Sequence, residues 1–215
     1  MLQGFFKTGP GEYAEGDRFI GVRVPAVRAI ARRMRGLSTA HTTALLRSPI
    51  HEERLLALVI LDDAYASGDA ETQTRIFRLY FANVRYINNW DLVDGSAPGI
   101  VGRHLERRSR RVLKTLARSR SLWERRIAIV ATQHFIRNGD YADTLAIAAA
   151  LLDDPHDLIH KATGWMLREV GKRDLAALRD FLTAHSASMP RTMLRYAIER
   201  LPEPERRRWL KRPRV

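Results

Sequence analysis

Apolar residues recur at three- and four-residue spacing along most of this chain, the period of helices that bury one face. Residues 1–7 read as the tail of a helix and the glycine-rich stretch 9–17 as a connecting loop. Its glycines match neither the spacing nor the strand context of a dinucleotide-binding turn. Residues 19–24 are the one strand-like run. Pro25 then suits an opening helical position, Val27, Ile30, Ala31 and Met34 form a helical stripe, and Gly36 ends it. Ser38 is placed to cap a short helix carrying Leu45 and Leu46, which Ser48-Pro49 closes. A longer helix is expected over 51–67, with Leu55, Leu56, Val59, Ile60 and Ala64 inward, and another over 70–86, with Ile76, Leu79, Tyr80 and Val84 inward.

The same two-helix pattern then repeats. Trp90 opens a helix that Gly95-Ser96-Ala97-Pro98-Gly99 interrupts before it resumes through Ile100 and Leu105, with Val112, Leu113 and Leu116 on its partner. Residues 122–138 pair with 141–152, 157–171 with 175–185, and 190–201 with 204–211. First helices begin near positions 51, 89, 122, 157 and 191, an interval of roughly 33 to 38 residues, in the range of helical repeat arrays. Pairs this short cannot bury their apolar faces alone, so they stack. The expected fold is a single all-α domain over 1–215, a superhelical HEAT-like array of antiparallel helix pairs with a concave basic face. Within it, 1–24 form a helix end and loop, 25–201 the repeats, and 202–215 a basic C-terminal helix and tail.

Charge changes this picture from architecture toward a partner. The 37 Lys and Arg against 24 Asp and Glu give a formal net charge of +13. This favours an anionic partner, with nucleic acid ahead of a membrane surface because no basic amphipathic anchor stands out. Arginine greatly outnumbers lysine, as suits bidentate phosphate contacts and equally a GC-rich genome. Arg103, Arg107, Arg108, Arg110, Arg111, Arg118, Arg120, Arg125 and Arg126 cluster in the middle of the chain. For most of them individually a solvated basic face is the plainer reading. The absence of cysteine excludes disulfides, thiolate nucleophiles and cysteine-bound zinc. Neither a membrane-length apolar run nor a secretory leader is present, and a cytoplasmic protein, associated with the nucleoid when bound to DNA, is expected.

Against this basic background Asn88-Asn89-Trp90-Asp91-Leu92-Val93-Asp94 is an anomaly. Trp90 and Asp94 are one helical turn apart and share a face, while Asp91 points elsewhere and suits the helix start. The structural alternative has Trp90 filling a core gap. Leu122-Trp123-Glu124-Arg125-Arg126 and Gly164-Trp165-Met166-Leu167-Arg168-Glu169 are further groupings of an indole with arginine. An indole face can stack on a sugar or base while the arginine binds phosphate, although both tryptophans also suit a core, Trp123 especially. His156 and His160 are spaced like zinc ligands, but Asp157 stands where such a helix carries Glu and no third ligand follows, so surface histidines beside a helix start are expected. No nucleophile elbow or phosphate-binding loop is present. One acid in a cationic groove suits a transition state that gains positive charge beside a polyanion, such as cleavage of the glycosidic bond of an alkylated, cationic purine.

The run 87–94, the run Leu122-Trp123-Glu124-Arg125-Arg126-Ile127-Ala128 and the run His156-Asp157-Leu158-Ile159-His160-Lys161-Ala162-Thr163-Gly164-Trp165-Met166-Leu167-Arg168-Glu169 together resemble the AlkD-type DNA alkylation repair family. The likeness extends from about residue 19 to 201, and W-D-x-x-D followed by G-W-x-L-R-E is specific as a set. It implies HEAT-like repeats and a monofunctional DNA glycosylase that releases N3- and N7-alkylated purines from duplex DNA without metal or cofactor; a monomer is expected. By the resemblance Asp94 is the catalytic acid, Trp90 and Trp165 flank the lesion's deoxyribose, and Arg126, in preference to Arg125, lies near that acid and the backbone. Arg168, Arg125, Lys161 and Trp123 are the further DNA-binding candidates. The family ordinarily opens with a fuller helix pair than this chain does. Two other readings fit the same charge pattern: a HEAT-like DNA-binding module without chemistry, and a protein-binding adaptor.

Overall fold

The computed structural model describes residues 2–211, so Met1 and residues 212–215, the ends of the expected first and last segments, lie outside the described residues. The chain divides into two compact units, Met1–His104 and Leu105–Val215.

The first unit holds α1 (Leu2–Phe5), α2 (Val24–Arg33), α3 (Thr39–Leu46), α4 (His51–Ser67), α5 (Ala70–Ala82) and α6 (Trp90–Ser96). A π-helical segment, Ala97–Gly102, then leads to the turn α7 (Arg103–Leu105). Helix α4 is the pillar, packed by α2, α3, α5, α6 and the π segment. That explains where the expected stripe differs. Leu55, Leu58, Ile60, Leu61 and Tyr65 are buried, whereas Leu56, Val59 and Ala64 are only half-buried, because a helix contacted from several sides has no single inward face. Ser38 caps α3 as expected, its hydroxyl accepting from the His41 N–H.

Two other sequence expectations are corrected here. No strand forms among the described residues; 19–24 is extended up to α2, but Ile20, Gly21 and Val22 donate their N–H groups to the Glu52 carboxylate at 2.8–3.2 Å rather than to a neighbouring strand. Gly21 adopts φ +89 there, a left-handed conformation open to glycine. The Gly95–Gly99 stretch does not interrupt its helix, which widens to a π turn instead. Pro98 lacks the N–H that would bond to the carbonyl four residues back, and a widened turn accommodates that loss.

The second unit holds α8 (Arg111–Leu116), α9 (Leu122–Ala131), α10 (Gln133–Arg137), α11 (Ala142–Ala150), α12 (Asp157–Gly171), α13 (Leu175–His185), α14 (Arg191–Ala197) and α15 (Glu203–Lys211). The helix expected over 122–138 is divided at Thr132, whose hydroxyl donates to the Ile129 carbonyl at 2.6 Å at the junction of α9 and α10. Helix α12 packs against α9 on one side and α14 on another, with α11 and α13 behind. Gly164 makes the second contact this close: a Cβ there would overlap the Met193 carbonyl oxygen and lie 2.6 Å from the Tyr196 Cβ. Gly164→Ala is therefore expected to force α12 and α14 apart and cost about 1–3 kcal/mol, measurable as a lower urea midpoint with unchanged slope. Of the first helices of the expected pairs, α4 packs on α6 in the first unit, and α9 on α12 and α12 on α14 in the second.

Candidate active site

Helix α6 starts at Trp90 because Asn89 holds the turn: its side-chain oxygen accepts from the Trp90 N–H at 2.8 Å and its amide donates to Asp17 Oδ2 at 2.9 Å. Leu92 and Val93 are fully buried, and Ser96 joins them, donating to the Leu92 carbonyl and meeting the Tyr80 hydroxyl at 3.2 Å. With that face committed to the core, Trp90 and Asp94 are left half-buried, one turn apart on the other side. The Trp90 indole stacks on Phe6 at 5.2 Å and meets the edge of exposed Phe5 at 6.0 Å. Burial drives the Tyr80 phenol well above its ordinary range, its bond to Ser96 opposes this, and the charges of Asp94 and Asp62 add to the rise.

Asp91, assigned by the sequence to the helix start, does accept from the Leu92 N–H at 2.9 Å, but its other oxygen meets His51 Nε2 at 2.8 Å. His51 Nδ1 faces Asp17 Oδ2 at 3.0 Å, and Arg54 pairs with Asp17 Oδ1. This buried Asp17–His51–Asp91 relay beneath α6 was not anticipated. Its successive members are 34 and 40 residues apart in sequence, so no local spacing announces it.

Asp62 on α4 packs against the π segment, its carboxyl occupying the space a Gly99 Cβ would take. Burial and the charge of Asp63 push it up to about 6, against the pull of Arg28 and Arg103. A carboxyl raised in the folded state holds its proton more tightly folded than unfolded, so stability falls as pH rises from the ordinary Asp range to about 6 and stays reduced above it. Asp62→Asn is expected to stabilise the protein by about 1–2 kcal/mol at neutral pH and by little near pH 4, tested by urea unfolding at both.

In the second unit Arg126 is 5% exposed and donates to the Leu158 carbonyl, bracing α9 against the start of α12. Arg125 closes on Asp154 and on the Ser119 and Arg120 carbonyls, so its guanidinium is engaged internally. Lys161, Trp165 and Arg168 share a face of α12, Trp165 half-buried; Lys161 pairs with Asp157 at 2.8 Å and Arg168 with Glu199. Trp123 is half-buried in the first turn of α9. Of the mid-chain arginines, Arg110 is held by Asp140, Asp143 and the Phe135 ring, while Arg103, Arg107, Arg108, Arg111, Arg118 and Arg120 are exposed. His156 and His160 keep part of their side chains at the surface, as expected. Both are half-buried and bonded to backbone, His156 Nδ1 accepting from the Leu158 N–H and His160 Nε2 meeting the Asp154 carbonyl. Burial draws His156 below its ordinary pKa, in keeping with a ring nitrogen that accepts. Among the described residues no three histidine or carboxylate groups gather as a metal site, and no helix is long and apolar enough to cross a membrane.

A family model for DNA alkylation repair enzymes matches residues 1–201. The chain belongs to the DNA alkylation repair enzyme family. That places it in DNA repair with DNA as its partner. A solved structure described as a predicted DNA alkylation repair enzyme from Enterococcus faecalis superposes with a TM-score of 0.72 over 94% of this chain and 93% of the other. At 14% identity this likeness attests the fold alone. A search of curated proteins finds no match. The family match begins at the first residue, so it includes the segment carrying Phe6 and Asp17 as well as the α6 and α12 motifs.

Proposed function

We propose that this family member is a monofunctional DNA glycosylase acting as a monomer on cationic N3- and N7-alkylated purines in duplex DNA, without metal or cofactor. The observation that carries the reading is the paired display of half-buried Trp90 and Asp94 on one side of a helix whose opposite side is core. In a protein of net charge +13 an acid so placed acts against the general attraction for phosphate, and chemistry that develops positive charge gives it a use.

In that reaction the C1′–N9 bond breaks with its electron pair leaving on the purine, which departs neutral because alkylation had already made it cationic. The deoxyribose becomes oxocarbenium-like, the Asp94 carboxylate stabilises that charge, and water adds to C1′ with loss of a proton to leave an abasic site. Trp90 supplies an apolar face beside the sugar and limits competing water. The resemblance in the α9 and α12 motifs assigns Trp165 an aromatic contact with the lesion's sugar, and Arg126, Arg168, Arg125, Lys161 and Trp123 contacts to DNA. Internal pairing of Arg125 and Arg126 favours a bracing part for both.

The test is incubation of purified protein with methylated duplex DNA and chromatography of the released bases. Release of 7-methylguanine or 3-methyladenine with matching abasic sites is expected. Salt-sensitive duplex binding without base release would favour the non-catalytic reading, and weak duplex binding at physiological salt the adaptor.

A further inference from the structure

Both nitrogens of the His51 ring face carboxylate oxygens, Asp17 Oδ2 at 3.0 Å and Asp91 Oδ2 at 2.8 Å. An ionised carboxylate can only accept, so both contacts are hydrogen bonds only when both nitrogens carry protons and the ring is an imidazolium. His51 and Asp17 are almost wholly buried, and Arg54 pairs with Asp17, so two carboxylates meet one imidazolium and one guanidinium in a charge-balanced cluster. Glu52, the next residue on α4, is taken up by the N–H groups of Ile20, Gly21 and Val22, and Arg18 contributes its backbone carbonyl, which accepts the His51 N–H at 2.8 Å.

The same ring belongs to an aromatic column that ends on Trp90. Phe19 stacks on His51 at 4.3 Å, Phe6 on Phe19 at 4.7 Å, and Trp90 on Phe6 at 5.2 Å. His51 therefore grips α6 twice: through Asp91 it holds the first turn of the helix backbone, and through the column it backs the indole. Asn89 ties the loop before α6 to the same Asp17 oxygen. Asp94 projects one turn beyond this clamp.

We propose that His51, as an imidazolium, is a positioning residue for the reaction: it fixes the start of α6 and so the presentation of Trp90 and Asp94, and base release falls when the ring loses its proton. The inference rests on the glycosylase reading for its kinetic consequence and on geometry alone for the coupling of His51 to Trp90. Burial opposes the charged ring, but the hydrogen bonds and charges of Asp17 and Asp91 outweigh it and hold His51 above its ordinary pKa. The sign follows: the clamp is complete below the ordinary histidine range and is lost as pH rises through the raised folded value. Loss of the proton leaves a ring lone pair against a carboxylate oxygen, and the first turn of α6 has to shift.

Single-turnover release of 7-methylguanine from methylated duplex, measured over roughly pH 6 to 10, tests the kinetic part. Wild-type protein should show an alkaline limb. His51→Gln should lower the rate about 10- to 100-fold near neutral pH and abolish that limb, with undamaged-duplex affinity within about 2-fold. Asp91→Asn, which keeps the shape but removes one charge, should move the limb to lower pH. Incorporated 5-fluorotryptophan, with the Trp90 resonance assigned through Trp90→Phe, tests the coupling. The Trp90 fluorine signal should titrate with the His51 ring protons and cease to do so in His51→Gln. An identical alkaline limb in wild type and His51→Gln, or a Trp90 signal indifferent to His51, overturns the inference. If wild-type protein releases no base at any pH, the glycosylase reading fails by itself and the fluorine titration decides the coupling.

Discussion

Asp94→Asn is expected to reduce release of 7-methylguanine from methylated duplex DNA by about 10²-fold or more, the scale for removing one well-placed electrostatic stabiliser of a transition state. The substitution keeps the side chain's shape, so the helix and the Trp90 stack should survive. Duplex affinity should stay within a few-fold of wild type or tighten, because a negative charge has been removed from a polyanion's surroundings. A fall in rate without a fall in binding separates a catalytic from a structural role, and a variant releasing base at the wild-type rate sinks the assignment. The measurement needs only quantified base release and fluorescence anisotropy with the two proteins side by side.

The largest effect on stability is expected from Asp17→Ala, although Asp17 lies in a loop. Its carboxylate accepts from His51, Asn89 and Arg54, and removing it leaves a buried guanidinium without its carboxylate. Breaking one side of a buried ion pair costs about 3–5 kcal/mol because the partner stays dehydrated and uncompensated. At this chain length that corresponds to a fall in Tm of roughly 6–20 °C. Loss of Asp157, by contrast, removes a pair with Lys161 in which both side chains are largely exposed, and should cost at most about 1 kcal/mol. Burial works against the Asp17 charge, but His51, Asn89 and Arg54 together hold its pKa below the ordinary Asp range. Its stabilisation is therefore present above that range and disappears as acid protonates it through the folded value, so wild type and variant should converge in acid. Thermal unfolding at neutral and acidic pH checks both statements, and an unchanged Tm at neutral pH would show that the network contributes nothing.

Local chemistry made much of the architecture legible. The bounds of α4, α12 and α13 agree with the expected helices because apolar period, caps and breakers coincide at their ends. Ser38 capped where a serine before an apolar run should cap. Disagreements arose wherever a distant group supplied what the local pattern lacked. Residues 19–24 carry strand-forming side chains, but the Glu52 carboxylate satisfies three of their N–H groups. The apolar residues of α4 face several neighbours, so periodicity alone could not choose among them. His156 and His160, spaced like metal ligands, bond to the backbone at the start of α12.

The candidate site divides in the same way. Sequence alone placed Trp90 and Asp94 on one helical face, because spacing of one turn is a local property of any α-helix, and it grouped Trp165 with Arg168 for the same reason. It also set the anionic character of the partner, since net charge is a sum over composition. Tertiary structure decided which side of α6 faces the core, that Arg125 and Arg126 brace loops and helix starts, and that Asp91 belongs to a buried relay with His51 and Asp17. Those pairings join residues some thirty or more positions apart. Only packing can select them, because burial makes an unmatched charge costly and so determines which acid each base must meet.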